Sequence, residues 1–303
     1  MQIYDLIIIG AGPAGITASV YAARKKLNFL VISLDIGGQA AWSGDIENYT
    51  GYQFITGPEL AQKFQEHLQK YQIVLKEDEV VLELKKSGTV VRLKTNKSEY
   101  VARAVIIASG KRSKELGVVG EKEFKNRGLT YCAICDGPLF SGKVVAVIGG
   151  GNSALDAVLQ LIKIAQKIYL INSAPELFGD AIMCQKVETE TKVTILNHSQ
   201  VMAVLGERFV QSIKISSNGK ELMLAVQGVF VEVGLTPNVN FAQDLEKNEL
   251  QELKIDVNNQ TNIAGIFAAG DVTNVAEKQI IIAAGEGAKA CLSASRYLAR
   301  NNF

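Results

Sequence analysis

Two of the four cysteines in this 303-residue chain, Cys132 and Cys135, are separated by two residues in Thr130–Pro138, TYCAICDGP. A Cys-x-x-Cys dithiol can close into an easily reduced disulfide, and its thiols are commonly more acidic than an isolated cysteine. Asp136 follows at once, a carboxyl placed to handle the proton that comes and goes as the disulfide opens. Alone, the pair is ambiguous. A zinc site would want a second pair, and Cys184 and Cys291 are single and far apart. A structural disulfide would want an oxidising compartment. Position raises the redox reading: the pair lies just ahead of the second of two glycine-rich dinucleotide fingerprints.

The first fingerprint is Gly10-x-Gly12-x-x-Gly15, with Pro13 and Ala14 between. It follows the apolar run Asp5–Ile9 and opens a helix through about Arg24, the strand–loop–helix context the pattern requires. The first glycine permits the tight turn, the second lets backbone approach a pyrophosphate, and the third lets helix pack on strand. The helix N-terminus offers unpaired N–H groups to phosphate. The bland reading is a tight turn without a ligand. An acidic ribose contact is expected at the end of the next strand, Phe29–Ser33, where Ser33 stands instead. The second fingerprint, Gly149-x-Gly151-Asn152-Ser153-Ala154, follows the strand Lys143–Ile148 and opens the helix Ser153–Ala165. Its ribose should meet the end of the strand Lys167–Ile171, where Asn172 can hydrogen-bond a 2′-hydroxyl. No Arg or Lys lies between Lys167 and Lys186, so a 2′-phosphate lacks a cationic partner there; NADH is expected over NADPH.

The remaining elements must position these loops. Val74–Ala108 and Thr191–Val233 alternate apolar and polar residues and read as antiparallel sheets, the common insertion in a doubly wound domain. Pro58–Tyr71 reads as an amphipathic helix, Ile263–Asp271 as a buried strand ending in Gly270-Asp271, and Lys278–Leu298 as a long helix with small residues near its start. The length suggests about two domains. Lys+Arg 32 against Asp+Glu 31 leaves no electrostatic case for nucleic acid or an acidic membrane surface, and two histidines are too few for a metal cage. Leu6–Ala23 is uncharged, but its glycines and Pro13 read as strand, loop and helix rather than a membrane span or signal peptide, so a cytoplasmic location is the default.

With these residues in view, the chain resembles the low-molecular-weight thioredoxin reductases along nearly its whole length. GAGPAG, GGQ, IENYTG, CAICDG, GGGNSA and GIFAAGD occur in that family's order and spacing. FVEVGLTPN and Lys278–Leu292 look closest to the flavoprotein subunit of alkyl hydroperoxide reductase, whose extra N-terminal thioredoxin-like domain is not expected here. The resemblance implies an α/β fold with two Rossmann-like, three-layer ββα dinucleotide-binding domains, the second inserted in the first. Residues 1–113 and 239–303 would bind FAD, and residues 114–238 would bind NAD(P)H and carry the CxxC. Gly10, Gly12, Pro13, Ala14 and Gly15 would hold the FAD pyrophosphate. Gly38, Gln39 and Asn48 would line the flavin, Gly270 and Asp271 would reach the ribityl chain and pyrophosphate, and Gln279 and Ile280 would meet the isoalloxazine. Gly149, Gly151, Asn152, Ser153, Ala154 and Asn172 would hold NADH. Cys135 would face the flavin, Cys132 would exchange with the partner, and Asp136 would be the acid–base. The implied activity is disulfide reduction on a thioredoxin- or glutaredoxin-like protein by a homodimer. The family's usual HRR-type 2′-phosphate site is replaced here by Asn172-Ser173-Ala174. Three rivals are a ferredoxin-dependent flavin thioredoxin reductase, which would not need GGGNSA, a flavin oxidase, which would not need CxxC, and a non-catalytic flavoprotein redox sensor.

Overall fold

The computed structural model describes residues 2–43 and 45–303, without the side chains of Trp42, Asp45, Ile134 and Cys135. The chain divides into two compact units, Met1–Arg112 with Thr236–Phe303, and Ser113–Leu235. Both are α/β, with one parallel sheet between a helical layer and an antiparallel sheet, the two-domain dinucleotide-binding fold.

In the first unit the strand Ile3–Ala11 is central, paired in parallel with Phe29–Ile36 on one side and Glu99–Ile107 on the other. Its run of β-branched residues is apolar on both faces because both faces are covered. Leu6 and Ile8 point to the helical side, among Ile16, Ala18 and Ala22 of the helix Pro13–Arg24 and Ala290, Ala294 and Leu298 of the helix Ile280–Arg300. Ile7 and Ile9 point the other way, among Leu84, Val91 and Leu93. Each such buried side chain contributes about 1.5–3 kcal/mol. The Ile280–Arg300 helix runs against Pro13–Arg24 at backbone contact: a methyl group at Gly287 would stand 2.0 Å from the Ala14 carbonyl oxygen.

The expected antiparallel sheet over Val74–Ala108 is real only in its middle. Val81–Ser87, Val90–Thr95 and the first half of Glu99–Ile107 are antiparallel. Leu75–Lys76 instead joins Phe29–Ile36 in parallel, and the second half of Glu99–Ile107 pairs in parallel with Ile266–Ala268. One strand thus belongs to both sheets, and its alternation in the first half gives way to the solid apolar run AVII (104–107) in the second.

The second unit repeats the plan. Five parallel strands run in the order Leu129–Thr130, Gly228–Val231, Val144–Ile148, Lys167–Ile171, Val193–Leu196. Val145 and Val147 face the helix Asn152–Leu161, while Ala146 and Ile148 face the antiparallel sheet of Ser199–Gly206, Val210–Ser217 and Lys220–Ala225. A helix also forms at Ala181–Glu188. Of its residues Val187 alone is buried, so no apolar stripe announces it; Asp180 caps it, its carboxylate accepting from the N–H groups of Ile182 and Met183. Among the described residues no helix is long and apolar enough to cross a membrane.

Candidate active site

The glycines of the first loop have separable causes. Gly10 has φ +105°, and a methyl group there would meet the Ala108 carbonyl oxygen at 2.3 Å; one at Gly15 would meet the Gly10 carbonyl oxygen at 1.8 Å. The fold itself requires both. Gly12 is different: its backbone is extended and its nearest neighbour would be the Gly37 carbonyl oxygen at 3.9 Å. The protein leaves room for a side chain there, so the space is a cradle that a Cβ would fill. Pro13 and Ala14 open the helix, which has no side-chain cap on its N-terminus.

The other expected flavin-side residues gather in the same unit. Gly38 faces this loop, a methyl group on it standing 3.3 Å from the Gly12 Cα. Gln39 follows in the short 3₁₀ turn Gly38–Trp42. Asn48 donates from Nδ2 to Gln279 Oε1 at 3.1 Å, a contact between residues 231 positions apart. Gly270 and Asp271 follow the strand Ile266–Ala268, Gly270 against Ala14 and Ala283. Ile280 begins the last helix, half-buried on the helical core. Desolvation raises the Asp271 carboxyl, opposed by Lys278 and Lys111. Those two lysines are tied together by Glu252, at 2.9 Å from Lys111 and 3.0 Å from Lys278. Burial alone would push Glu252 up, but hydrogen bonds from Lys111, Asn248 and Lys278 outweigh it and leave the carboxyl at about 2.

Ser33 is buried and belongs to the loop: its Oγ accepts from Ala11 N–H at 3.0 Å and donates to the Asp35 carbonyl oxygen at 2.7 Å. The strand does not stop at Ser33 but runs to Ile36, which places an acidic residue, Asp35, at its end. Partial desolvation raises the Asp35 carboxyl, with the Gly38 N–H acting against it. Sequence reading missed this carboxylate by ending the strand three residues early.

In the second unit, a methyl group at Gly149 would meet the Glu232 carbonyl oxygen at 2.2 Å, and Ala154 is fully buried under the loop. Asn152 and Ser153 open the helix after Gly151, exposed and without a side-chain cap. Asn152 Oδ1 accepts from Asp180 N–H at 2.6 Å. Two features depart from expectation. Asn172 is 1% exposed. Its Nδ2 donates to the Glu176 carbonyl oxygen and to Asn197 Oδ1, and its Oδ1 accepts from Ala174 N–H. Both donor hydrogens are committed to the protein, so a bond to a ribose hydroxyl would break one of them. Phe178, two-thirds exposed, lies over Gly150 and Gly151; its ring stands 2.9 Å from where a methyl group on either would be. Beside the loop, burial and the negative Asp156 push the Glu232 carboxyl up to about 8.

Cys132 is disulfide-bonded, while Cys184 and Cys291 are free thiols. The side chain of Cys135 lies outside the described residues. The stretch forms one helical turn, Ala133–Asp136, after the strand Leu129–Thr130. Tyr131 donates its phenol to Glu121 at 2.7 Å, pinning the chain just before Cys132. Asp136 N–H donates to the Cys132 carbonyl oxygen at 3.3 Å, and the Asp136 carboxylate accepts from Thr130. Burial pushes the Cys291 thiol up to about 12, which keeps it inert at neutral pH.

Residues 4–287 match the pyridine nucleotide-disulphide oxidoreductase family. The chain belongs to it and is an oxidoreductase. Among curated relatives, an NADH dehydrogenase of Ferdinandcohnia aciditolerans is 38% identical over 98% of this chain. An alkyl hydroperoxide reductase subunit of Staphylococcus aureus is 39% identical over the same share. The chain spans 58% and 60% of the length of those two proteins. Among solved structures, thioredoxin reductase of Lactococcus lactis superimposes with a TM-score of 0.92 at 34% identity, over 98% of this chain and 99% of that one. The resemblance read from the motifs is therefore a family relationship over the whole chain.

Proposed function

We propose that the protein is an FAD-dependent disulfide reductase that passes electrons from NADH, through Cys132 and Cys135, to a thioredoxin- or glutaredoxin-like protein. The observation that carries this reading is a disulfide-bonded Cys132 whose backbone is hydrogen-bonded to Asp136, in a unit that also builds an uncapped glycine loop at the head of a helix. The family relationship also supports a homodimer, and a cytoplasmic location remains the reading of the uncharged but glycine-broken N-terminal run.

The first unit fits FAD. The open space at Gly12, the uncapped helix at Pro13, and Asp35 at the next strand end match a pyrophosphate and a ribose. Gly10, Ala14 and Gly15 shape that loop, while Gly38, Gln39, Asn48, Gly270, Asp271, Gln279 and Ile280 surround the remainder. Bound there, FAD would supply a two-electron carrier between nicotinamide and sulfur. In the second unit Gly149, Gly151, Asn152, Ser153 and Ala154 would receive the pyrophosphate of the nicotinamide nucleotide. NADH is favoured over NADPH because residues 168–185 contain no Arg or Lys, whereas Glu176 and Asp180 add negative charge there. Asn172 contributes by holding the Ala174–Glu176 turn rather than by offering a free donor.

The overall exchange converts NADH, one proton and a disulfide into NAD⁺ and a dithiol. Asp136 handles that proton: it ends the helical turn that follows Cys132 and acts as general acid when the disulfide opens and as base when the dithiol attacks the partner. Cys132 forms the mixed disulfide with the partner, and Cys135 displaces it. The ferredoxin-dependent alternative has no use for the intact Gly149–Ala154 loop. Anaerobic stopped-flow reduction of the FAD-loaded protein by NADH and by NADPH tests the reading. Bleaching at least tenfold faster with NADH is expected. Equal rates would remove the NADH preference, and slow bleaching with both would favour ferredoxin as the donor.

A further inference from the structure

Thr130 is 5% exposed, on the strand Leu129–Thr130, which pairs in parallel with Gly228–Val231. Its hydroxyl makes two hydrogen bonds. The oxygen accepts from Cys132 N–H at 3.1 Å, and the proton is donated to Asp136 Oδ2 at 2.5 Å. Asp136 N–H in turn donates to the Cys132 carbonyl oxygen at 3.3 Å. These three bonds close a ring: Cys132 to Thr130, Thr130 to Asp136, and Asp136 back to Cys132. One hydroxyl therefore ties the backbone of a disulfide-bonded cysteine to the neighbouring carboxylate. It is anchored in the parallel sheet, outside the single helical turn that carries Cys132's neighbours.

We infer that Thr130 is the positioning residue for the proton transfers of this dithiol. Its hydroxyl holds the Asp136 carboxylate in register with the reacting sulfurs as the Ala133–Asp136 turn relaxes between disulfide and dithiol. The physical need is specific. A four-residue turn is too short to hold a side chain by its own backbone bonds, so without a further contact the Asp136 carboxylate would rotate about its carbon–carbon bonds. A donor on a rigid strand removes that freedom. The inference rests on the reading of Asp136 as the acid–base, and its test is built to separate the two.

The test needs no nucleotide. Dithiothreitol opens the enzyme disulfide, giving cyclic oxidised dithiothreitol and the enzyme dithiol, so two electrons and two protons pass to the enzyme. The rate is followed against pH for the parent, Thr130→Val, Thr130→Ser, Asp136→Asn and the Thr130→Val/Asp136→Asn pair. Valine keeps the shape and suits a strand, and thermal unfolding with circular dichroism checks that each variant is folded. Thr130→Val is expected to lower the plateau rate by roughly ten- to a hundredfold, the scale of a hydrogen bond to a charged group. Thr130→Ser is expected to restore the rate to within about threefold. On top of Asp136→Asn, Thr130→Val is expected to change nothing further, because there is no carboxylate left to position. A Thr130→Val rate within twofold of the parent across the pH range would overturn the inference. So would an undiminished effect of Thr130→Val in the Asp136→Asn variant, which would mark Thr130 as a packing residue only. If Asp136→Asn itself reacts at the parent rate, the acid–base reading fails, and the role of Thr130 falls with it.

Discussion

Gly12→Ala separates the ligand's requirement from the protein's. The new methyl group would have no neighbour closer than the Gly37 carbonyl oxygen at 3.9 Å, and Gly12 already has the extended backbone that alanine adopts freely, with φ −81° and ψ −174°. Two stability effects then oppose each other. Loss of unfolded-chain entropy favours alanine by about 0.4–1 kcal/mol. Alanine is a worse helix N-cap than glycine, at a cost of up to about 1 kcal/mol. The apoprotein should therefore unfold within about 3 °C of the parent, since 1 kcal/mol moves a unit of this size by about 2–4 °C. Binding should suffer instead: a methyl group in a close-packed contact costs about 1–3 kcal/mol, or roughly five- to 150-fold in the FAD dissociation constant at 1.4 kcal/mol per decade. The control is Gly15→Ala, whose methyl group would lie 1.8 Å from the Gly10 carbonyl oxygen and which should destabilise the apoprotein itself. The assay is FAD titration of stripped protein by fluorescence quenching, beside apoprotein melting curves. Gly12→Ala binding FAD within twofold of the parent would refute the argument that the open space at Gly12 is where the ligand approaches. An unfolded Gly12→Ala apoprotein would refute the claim that the fold leaves that space free.

Cys132→Ser and Cys135→Ser should each abolish reduction of a protein disulfide while bleaching by NADH continues; full partner reduction by either variant, in an insulin-precipitation assay, would end the dithiol assignment. Glu232 keeps its proton up to about pH 8 in the folded chain against an ordinary 4.5, so folding stability should fall as pH rises through that window and level off above it. At 1.36 kcal/mol per unit the loss is at most about 5 kcal/mol, and Glu232→Gln should remove it; melting curves of parent and variant that stay parallel from pH 5 to 9 would contradict this. Phe178→Ala should lower the NADH KM by roughly two- to tenfold, because the ring no longer has to leave its rotamer, worth about 0.5–1.5 kcal/mol, for the pyrophosphate to reach Gly151; a raised KM would mean that the ring supports the nucleotide instead.

The parts of the site legible in the sequence were those whose cause is local. Gly10 and Gly15 are dictated by a strand turning at once into a helix, and both sit in the motif that reports such a turn. Cys132 and Asp136 are four positions apart, Asp136 ending the helical turn that begins right after Cys132. The doubly buried strands Ile3–Ala11 and Val144–Ile148 are short β-branched runs next to glycines, a pattern few other folds produce. What stayed hidden depends on partners distant in sequence. Whether Asn172 has a free donor is decided by Asn197, 25 residues away, and by the turn at Glu176. The Asp35 carboxylate was missed because Ser33 looks like a strand end, whereas its hydroxyl bonds to Ala11 and Asp35 and the strand continues to Ile36.

The two glycine loops show how far a fingerprint reaches. Both turn a parallel strand into a helix, and in both the first glycine lies against the carbonyl of the residue just after a neighbouring strand, Ala108 in one and Glu232 in the other. They diverge at the middle glycine, the position proposed to face the ligand. Gly12 opens on free space, whereas Gly151 lies under Phe178. Phe178 follows the strand Lys167–Ile171 by seven residues, and its N–H donates to the Gly150 carbonyl oxygen at 2.9 Å, so the covering ring is tethered to the loop it covers. The same segment is the one that should read the nucleotide's ribose. A single stretch, Asn172–Asp180, thus sets both access to the second loop and the absence of positive charge beside it. Substitutions there should move nucleotide affinity and NADH-over-NADPH preference together, while substitutions at Gly149 or Ala154, which the fold itself requires, should appear first as loss of stability.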